Sequence, residues 1–345
     1  MVSDLVIYPG TQCNFNCTYC DRDYIKEVHG YQKLTTEDLP DIFNLIESLD
    51  YDFKMLSFHG GEPFVFTKLI DKIITWTEEN KPFKHYYFQT NGSLILNNKE
   101  FITKWKDKII ISISYDFNKQ EDNRTGFDME ESLEFLKSIG VPAKLQSVVP
   151  MDGSFFDSDT IHQILRWKER NLVYRLGFVP LKYIRSVEEY KILLDDMSEE
   201  YITAFFFKFI RFLQTLVLYN IEFHLDGVDD FTEDSFKDYS DPVELIVSPD
   251  GYMYSEFDFL DYRQEHLRFG KWRDGVEIYK DVPFKMMDEC KECTAKNICG
   301  LKYARQEFDL GFKTFNCRTF LTLQQMTFKH ITKLRERSLL EHVGI

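Results

Sequence analysis

No cysteine lies between Cys20 and Cys290. The seven in the chain fall into two groups: Cys13, Cys17 and Cys20 near the start, and Cys290, Cys293, Cys299 and Cys317 near the end. This segregation argues against a disulfide framework and for metal ligands or reactive thiols. Basic residues are scarce too, with 42 Lys and Arg against 57 Asp and Glu, a formal charge of −15. Without a Lys/Arg-rich run the chain lacks the positive footprint that a duplex DNA or RNA partner needs. A cationic peptide or a small molecule suits the balance better. The opening residues, MVSDL, offer neither a basic n-region nor an apolar h-region, which excludes a signal peptide. The longest apolar stretch, AFFFKFIRFLQTLVLY at 204–219, is interrupted by Lys208, Arg211 and Gln214. It reads as a buried amphipathic helix rather than a bilayer span. These absences predict a cytoplasmic protein with no membrane partner.

Aromatics, by contrast, are abundant: 32 Phe and 19 Tyr among 345 residues, read here as the filling of a large core. Single cores stop growing near about 250–300 residues, so the length predicts two domains or one large domain with an appendage. Up to about residue 180, strand-like and helix-like segments alternate. DLVIYPG, KMLSFHGG, HYYFQTNG, IIISISYD, AKLQSVVP and YRLGFVPL read as strands, with helices between them such as LTTEDLPDIFNLIESLD and TKLIDKIITWTEEN. Thr35 and Asp38 stand in capping-box positions ahead of an apolar face of Ile42, Leu45, Ile46 and Leu49. Six βα units imply an α/β fold with a parallel sheet, either doubly wound or an open partial barrel. Residues 187–222 read as apolar helix, 244–258 as a hairpin turning at Pro249-Asp250-Gly251, and 319–341 as a final helix.

In such folds ligands gather at the carboxyl ends of the strands. The polar motifs fall there: the cysteine loop after strand one, HGGEP after strand two, QTNG after strand three and SYD after strand four. Cys13-x3-Cys17-x2-Cys20 can wrap three thiolates around a [4Fe–4S] cubane, leaving one iron open. An open coordination position marks a catalytic rather than a structural site. The same residues would also serve a zinc ion borrowing His59, three structural thiols, or a disulfide with one odd thiol. In HGGEP, glycine lets backbone carbonyls approach closely and Glu62 can pair with an ammonium. Cys290-x2-Cys293-x5-Cys299-x17-Cys317 gives four thiolates, which suit a closed [4Fe–4S] cluster or a structural zinc.

The C-x3-C-x2-C motif with an aromatic before its last Cys, placed after the first strand of a βα repeat, resembles the radical S-adenosylmethionine (radical SAM) superfamily. The resemblance implies a partial (β/α)6 TIM-like barrel, followed by a small loop-rich Fe–S auxiliary domain. It implies a [4Fe–4S] cluster on Cys13, Cys17 and Cys20 whose fourth iron is chelated by SAM. One electron then cleaves SAM to a 5′-deoxyadenosyl radical that abstracts a substrate hydrogen. Gly60, Gly61, Glu62 and Pro63 match the segment that binds the methionine amino group. Tyr19 matches the aromatic near the adenine, and Ser114 and Asp116 match polar positions near the ribose or carboxylate. Arg124 resembles an Arg that reaches the SAM carboxylate in peptide-modifying members. Gln89, Thr90 and Asn91 share the rim, and the resemblance implies adenine contacts from the backbones of Val149 and Val179.

The second group resembles a degenerate SPASM/twitch domain. Tyr303, Ser255 and Gly275 stand where a full SPASM domain has cysteines, and these departures coincide in removing one of two auxiliary clusters. One auxiliary [4Fe–4S] cluster on Cys290, Cys293, Cys299 and Cys317 is implied. Tyr303, Glu256 and Asp258 become candidate catalytic residues lining the space left free. The expected organisation is 1–182 barrel, 183–240 linking helices, 241–320 auxiliary-cluster domain and 321–345 C-terminal helix. SPASM-type relatives act mostly on peptides or proteins by cross-linking, epimerisation or oxidation, so peptide modification is the first expectation. The alternative is a small molecule such as a nucleoside, sugar or amino acid, and a remote one is a non-catalytic Fe–S or zinc module. A flavodoxin- or ferredoxin-type electron donor is implied. Since the barrel begins at residue 4, a leader-binding domain is not expected, and a peptide substrate would need either a separate binding protein or a direct contact.

Overall fold

A computed structural model describes residues 4–17, 20, 30–50, 53–117, 124–149, 155–180, 198–225, 244–254 and 268–279, with His330 and Lys333. The first elements in chain order are β1 (Asp4–Ile7), α1 (Leu39–Ser48), β2 (Met55–Phe58), α2 (Thr67–Asn80), β3 (His85–Thr90), α3 (Lys99–Trp105), β4 (Ile109–Ser114) and α4 (Met129–Ser138). There follow β5 (Ala143–Val149), α5 (Ser158–Glu169), β6 (Arg175–Pro180), α6 (Glu199–Leu218) and β7 (Phe223–Leu225). Last come β8 (Glu244–Val247), β9 (Tyr252–Tyr254), β10 (Gly270–Lys271) and β11 (Glu277–Ile278). The chain divides into two compact units. Met1–Ser114, Asp122–Lys144 and Lys237–Pro283 make the first, and Tyr115–Glu121, Leu145–Phe236 and Phe284–Ile345 the second.

In the first unit, β1 to β4 pair in parallel in chain order. β8 adds a further parallel partner on the other side of β1, joining Glu244 to Asp4 and Val247 to Ile7. The Pro249-Asp250-Gly251 hairpin forms as expected, with β9 antiparallel to β8 and then β10 and β11 beyond it. The hairpin is clamped to α1 by Arg273, whose guanidinium donates to Asp38 Oδ1 at 2.7 and 3.0 Å and to the Pro249 carbonyl at 3.0 Å. Asp38 also ties down the turn ahead of α1, though the reciprocal bond of a capping box does not form, since Asp38 N donates to the Thr35 carbonyl instead. Its Oδ2 accepts from Thr35 N at 2.7 Å and Thr35 Oγ1 at 3.2 Å, while Thr35 Oγ1 accepts from Glu37 N.

The residues of β3 decide the layering. In HYYFQT, Tyr86, Phe88 and Thr90 are buried while His85, Tyr87 and Gln89 are half-buried, the period-two alternation of a strand. On the buried face Phe88 stacks on Phe58 at 5.1 Å and Phe64 at 5.3 Å, and meets the edge of Phe101 from α3 at 5.8 Å. The opposite face carries Tyr87 and Gln89 toward the polar strand ends.

The second unit holds β5 from Leu145, then β6 and β7, with β6 and β7 parallel. The sequence predicts only helix over 183–240, and the structure adds β7 within that stretch. Three residues directly after a helix are too short to carry a readable alternation. Phenylalanine fills this core: Phe155 touches Phe117, Phe156, Phe178 and Phe212 at 5.5–5.9 Å. Tyr115 packs on Trp167 at 4.9 Å. By length and composition α6 passes for a membrane span, alone among the described helices. Its Ile202, Phe205, Phe209, Leu213 and Leu216 are nonetheless buried.

Phe88→Ala removes a ring packed on three others and should cost about 3–5 kcal/mol of stability in denaturant unfolding. Because Phe64 lies two residues after Glu62, the same variant is expected to loosen the surroundings of the Glu62 carboxylate without touching any polar group.

Candidate active site

The loop leaving β1 is seated by backbone hydrogen bonds on both sides. Thr11 N donates to the Gln32 carbonyl at 3.0 Å and Leu34 N to the Pro9 carbonyl at 2.7 Å. From the end of β2, Gly61 N donates to the Gly10 carbonyl at 2.9 Å and Glu62 N to the Gln12 carbonyl at 2.8 Å. A Cβ on Gly61 would stand 2.1 Å from the Gln12 oxygen, so only glycine fits. The sequence predicts close approach of carbonyls at this motif. The carbonyls that approach are the chain's own, directly before Cys13.

Cys13, Cys17 and Cys20 stand outside any disulfide, Cys17 buried and the other two half-exposed. Among the described residues, no three His, Cys, Asp or Glu side chains are gathered closely enough to hold one metal ion. A zinc ion would need its thiolates within about 3.8 Å of one another, from Zn–S bonds of about 2.3 Å. A cubane lets each cysteine take a separate iron. His59, the borrowed ligand of the zinc reading, is half-buried and stacks on Tyr87 at 5.7 Å. Burial, and then the charge of Lys144, pull its pKa down to about 4, so it is neutral at pH 7.

Glu62 is wholly buried. Its Oε1 accepts from Thr90 Oγ1 at 2.7 Å and from Phe64 N at 3.1 Å, and its Oε2 from Asn91 N at 2.7 Å. A carboxylate offers about four acceptor positions, so one remains, which suits a single N–H of an ammonium. Burial raises the Glu62 pKa to about 7, against the pull of these three hydrogen bonds and of the nearby Arg124 charge. Pro63 opens the short 3-10 turn Pro63–Phe66 that supplies the Phe64 donor.

Asn91 faces the cysteine loop. Its Nδ2 donates to Asn14 Oδ1 at 2.9 Å and lies 3.6 Å from Cys13 Sγ. Asn14 Nδ2 donates in turn to Ser93 Oγ at 2.7 Å. Beside it, Tyr87 donates to Gln89 Oε1 at 3.0 Å and Gln89 Nε2 to Ser114 Oγ at 2.9 Å, so Gln89 and Ser114 form one polar chain. Arg124 is buried in the first unit, while Asp116 and Val149 are buried in the second. Asn14 and Ser93 were not singled out as site residues by the sequence. The Asn-Gly-Ser run, a strong turn signal in which Ser93 N donates to Asn91 Oδ1 at 3.0 Å, was the one available clue. Gly275, read as standing in for a cysteine, has φ +111° in the β10–β11 turn, a conformation that a cysteine would adopt only under strain. Tyr19, Ser255, Glu256, Asp258, Cys290, Cys293, Cys299, Tyr303 and Cys317 lie outside the described residues.

Three cysteines outside any disulfide on one loop, with a carboxylate one acceptor short of full beside them, fit a cluster with an open iron and an amino-acid ligand. Residues 7–151, which hold all three thiols and Glu62, match the radical SAM superfamily. Residues 7–151 thus carry a radical SAM domain, a class that works with a [4Fe–4S] cluster and SAM, and the α/β fold with its parallel sheet agrees with the partial (β/α)6 barrel of that class. An uncharacterised protein of Methanocaldococcus jannaschii is 27% identical over 210 residues, 56% of this chain and 71% of its own length. The 7-carboxy-7-deazaguanine synthase of Methanothermobacter thermautotrophicus is 30% identical over 115 residues, 33% of this chain and only 43% of its own length. Among solved structures, anSMEcpe with bound AdoMet and Cp18Cys peptide matches with a TM-score of 0.68 at 18% identity. That match covers 98% of this chain and 100% of the other, a likeness of fold.

SAM affinity should depend on pH with a defined sign. Pairing with an ammonium favours the ionised Glu62, so binding expels a proton below about pH 7 and tightens as pH rises through it. It weakens again above about pH 8, where an α-amino group loses its proton. Glu62→Gln is expected to flatten the acid limb and weaken binding about 10–100-fold, the worth of one charge-assisted hydrogen bond. Titration calorimetry of the anaerobic, reconstituted protein in buffers of differing ionisation enthalpy reads both effects.

Proposed function

We propose that this enzyme abstracts a hydrogen atom from a carbon of a peptide or protein substrate, leading to a cross-link, an epimerised centre or an oxidised side chain. The observation that carries the reading is the extent of the likeness to anSMEcpe. It runs over 98% of the chain, far beyond the SAM-binding segment, and that protein was solved with a peptide bound. The net charge of −15 also suits a cationic peptide.

When bound, the cluster and SAM supply a low-potential electron and a 5′-deoxyadenosyl radical. The protein's part is to hold and orient. Glu62 takes the SAM amino group with its remaining acceptor position. Cys13, Cys17 and Cys20 carry the cluster, and Asn91 and Asn14 fix the loop that bears them. Gln89, Ser114, Asp116, Arg124, Tyr19 and the Val149 backbone are assigned to the rest of SAM. Tyr303, Glu256 and Asp258 are assigned to the substrate side. An external flavodoxin- or ferredoxin-type donor provides the electron.

A second reading, a small-molecule substrate, is favoured by the relative named 7-carboxy-7-deazaguanine synthase. The two separate in one assay. Reconstituted protein with SAM and dithionite is incubated with deuterated peptides from short reading frames beside its gene, or with nucleosides, sugars and amino acids. Deuterium in 5′-deoxyadenosine together with a modified peptide is the expected result. Transfer from a small molecule alone would overturn the peptide reading.

Cys290, Cys293, Cys299 and Cys317 are proposed to hold one auxiliary [4Fe–4S] cluster, closed by four thiolates and suited to electron transfer rather than substrate ligation. The reconstituted chain should then contain about eight irons, and Cys293→Ser about four. About four irons and one zinc in the unmutated protein would rule the auxiliary cluster out.

A further inference from the structure

We infer that Asn91 sets the reduction potential of the cluster on Cys13, Cys17 and Cys20, through a hydrogen bond from its side-chain amide to the Cys13 sulfur. The inference rests on those three thiols carrying the catalytic cluster.

The amide nitrogen lies 3.6 Å from Cys13 Sγ, within reach of an N–H···S bond given the size of sulfur. Its orientation is fixed by chemistry as well as distance. Asn91 Oδ1 accepts from Ser93 N at 3.0 Å and Ser93 Oγ at 2.6 Å. A backbone N–H can only donate, so the amide oxygen must face Ser93 and the NH2 group must face the cysteine loop. The other amide hydrogen goes to Asn14 Oδ1 at 2.9 Å. The Asn91 backbone is held independently, by Glu62 Oε2 at 2.7 Å. With the residue only 7% exposed, water is a poor substitute for this donor. Phe15 N, 3.4 Å from the same sulfur, makes Cys13 the acceptor of two N–H groups.

A reduced cluster carries one more negative charge than an oxidised one, and its thiolates share it. A donor aimed at a ligating sulfur stabilises the reduced state more than the oxidised state and raises the potential. Asn91 therefore eases the one-electron reduction by the external donor.

The test is a redox titration of the full reconstituted chain. It follows the electron paramagnetic resonance signal that shifts on adding SAM, which singles out the cluster with the open iron. Asn91→Leu keeps the size and removes the donor. It should move the midpoint to a more negative value with iron content unchanged. Asn14→Ala breaks the same latch but leaves the Asn91–Cys13 contact, and its midpoint should stay at that of the unmutated protein. An unchanged midpoint in Asn91→Leu overturns the inference. An equal displacement in Asn14→Ala does so too, since it would make loop anchoring the cause. If Asn91→Leu fails to load iron, Asn91→Ser, whose hydroxyl is too short to reach the sulfur, is read in the same way. An unmutated chain with no SAM-responsive cluster refutes the underlying reading instead.

Discussion

Two backbone hydrogen bonds, from Gly61 to Gly10 and from Glu62 to Gln12, carry the ladder between β1 and β2 beyond the strands themselves. Everything chemical in the first unit hangs from this seam. It fixes where the cysteine loop begins, because Gln12 directly precedes Cys13. It also fixes the backbone of Glu62, so the carboxylate has one direction in which to point. Burying a carboxylate costs several kcal/mol, and three donors offset only part of this, as a pKa raised to about 7 records. The group is therefore left poised. It holds a proton readily when alone, and a cation completes its coordination when one arrives.

β3 joins stability to chemistry through simple alternation. Phe88 and Thr90 share one face of the strand, and Tyr87 and Gln89 the other. Phe88 is locked among aromatic rings, and two residues later Thr90 donates to Glu62. The aromatic packing that stabilises the fold thus also sets the position of a hydroxyl in the site, and the polar chain Tyr87–Gln89–Ser114 lies on the face that packing leaves open. Rigid strands hold such groups more closely than mobile loops could.

The strands and the site motifs were legible because their signals are local. HYYFQT alternates within six residues, and the three cysteines and GGEP announce themselves by spacing. The direction of Asn91 was not legible. Its place at a strand end puts it on the rim, but whether it meets a ligand or its own chain depends on the loop brought to it from Asn14, far away in sequence. The glycines were read correctly as sites of close approach and incompletely as to what approaches, for the same reason. β7 escaped because three residues cannot show a period, and the parallel pairing of β8 with β1 because no local pattern encodes a partner so remote.

That last pairing bears on how the chain is made. β1 is an inner strand whose second neighbour, Glu244–Val247, is translated long after it. Until that segment leaves the ribosome, one edge of β1 stays open, and the cysteine loop hangs from a strand paired on one side only. Such non-local closure slows folding and prolongs the exposure of a strand edge. The thiols of the first loop are thus synthesised well before the strand that completes the pairing of β1, an order of assembly that leaves their loop accessible to iron–sulfur delivery and equally to oxidation.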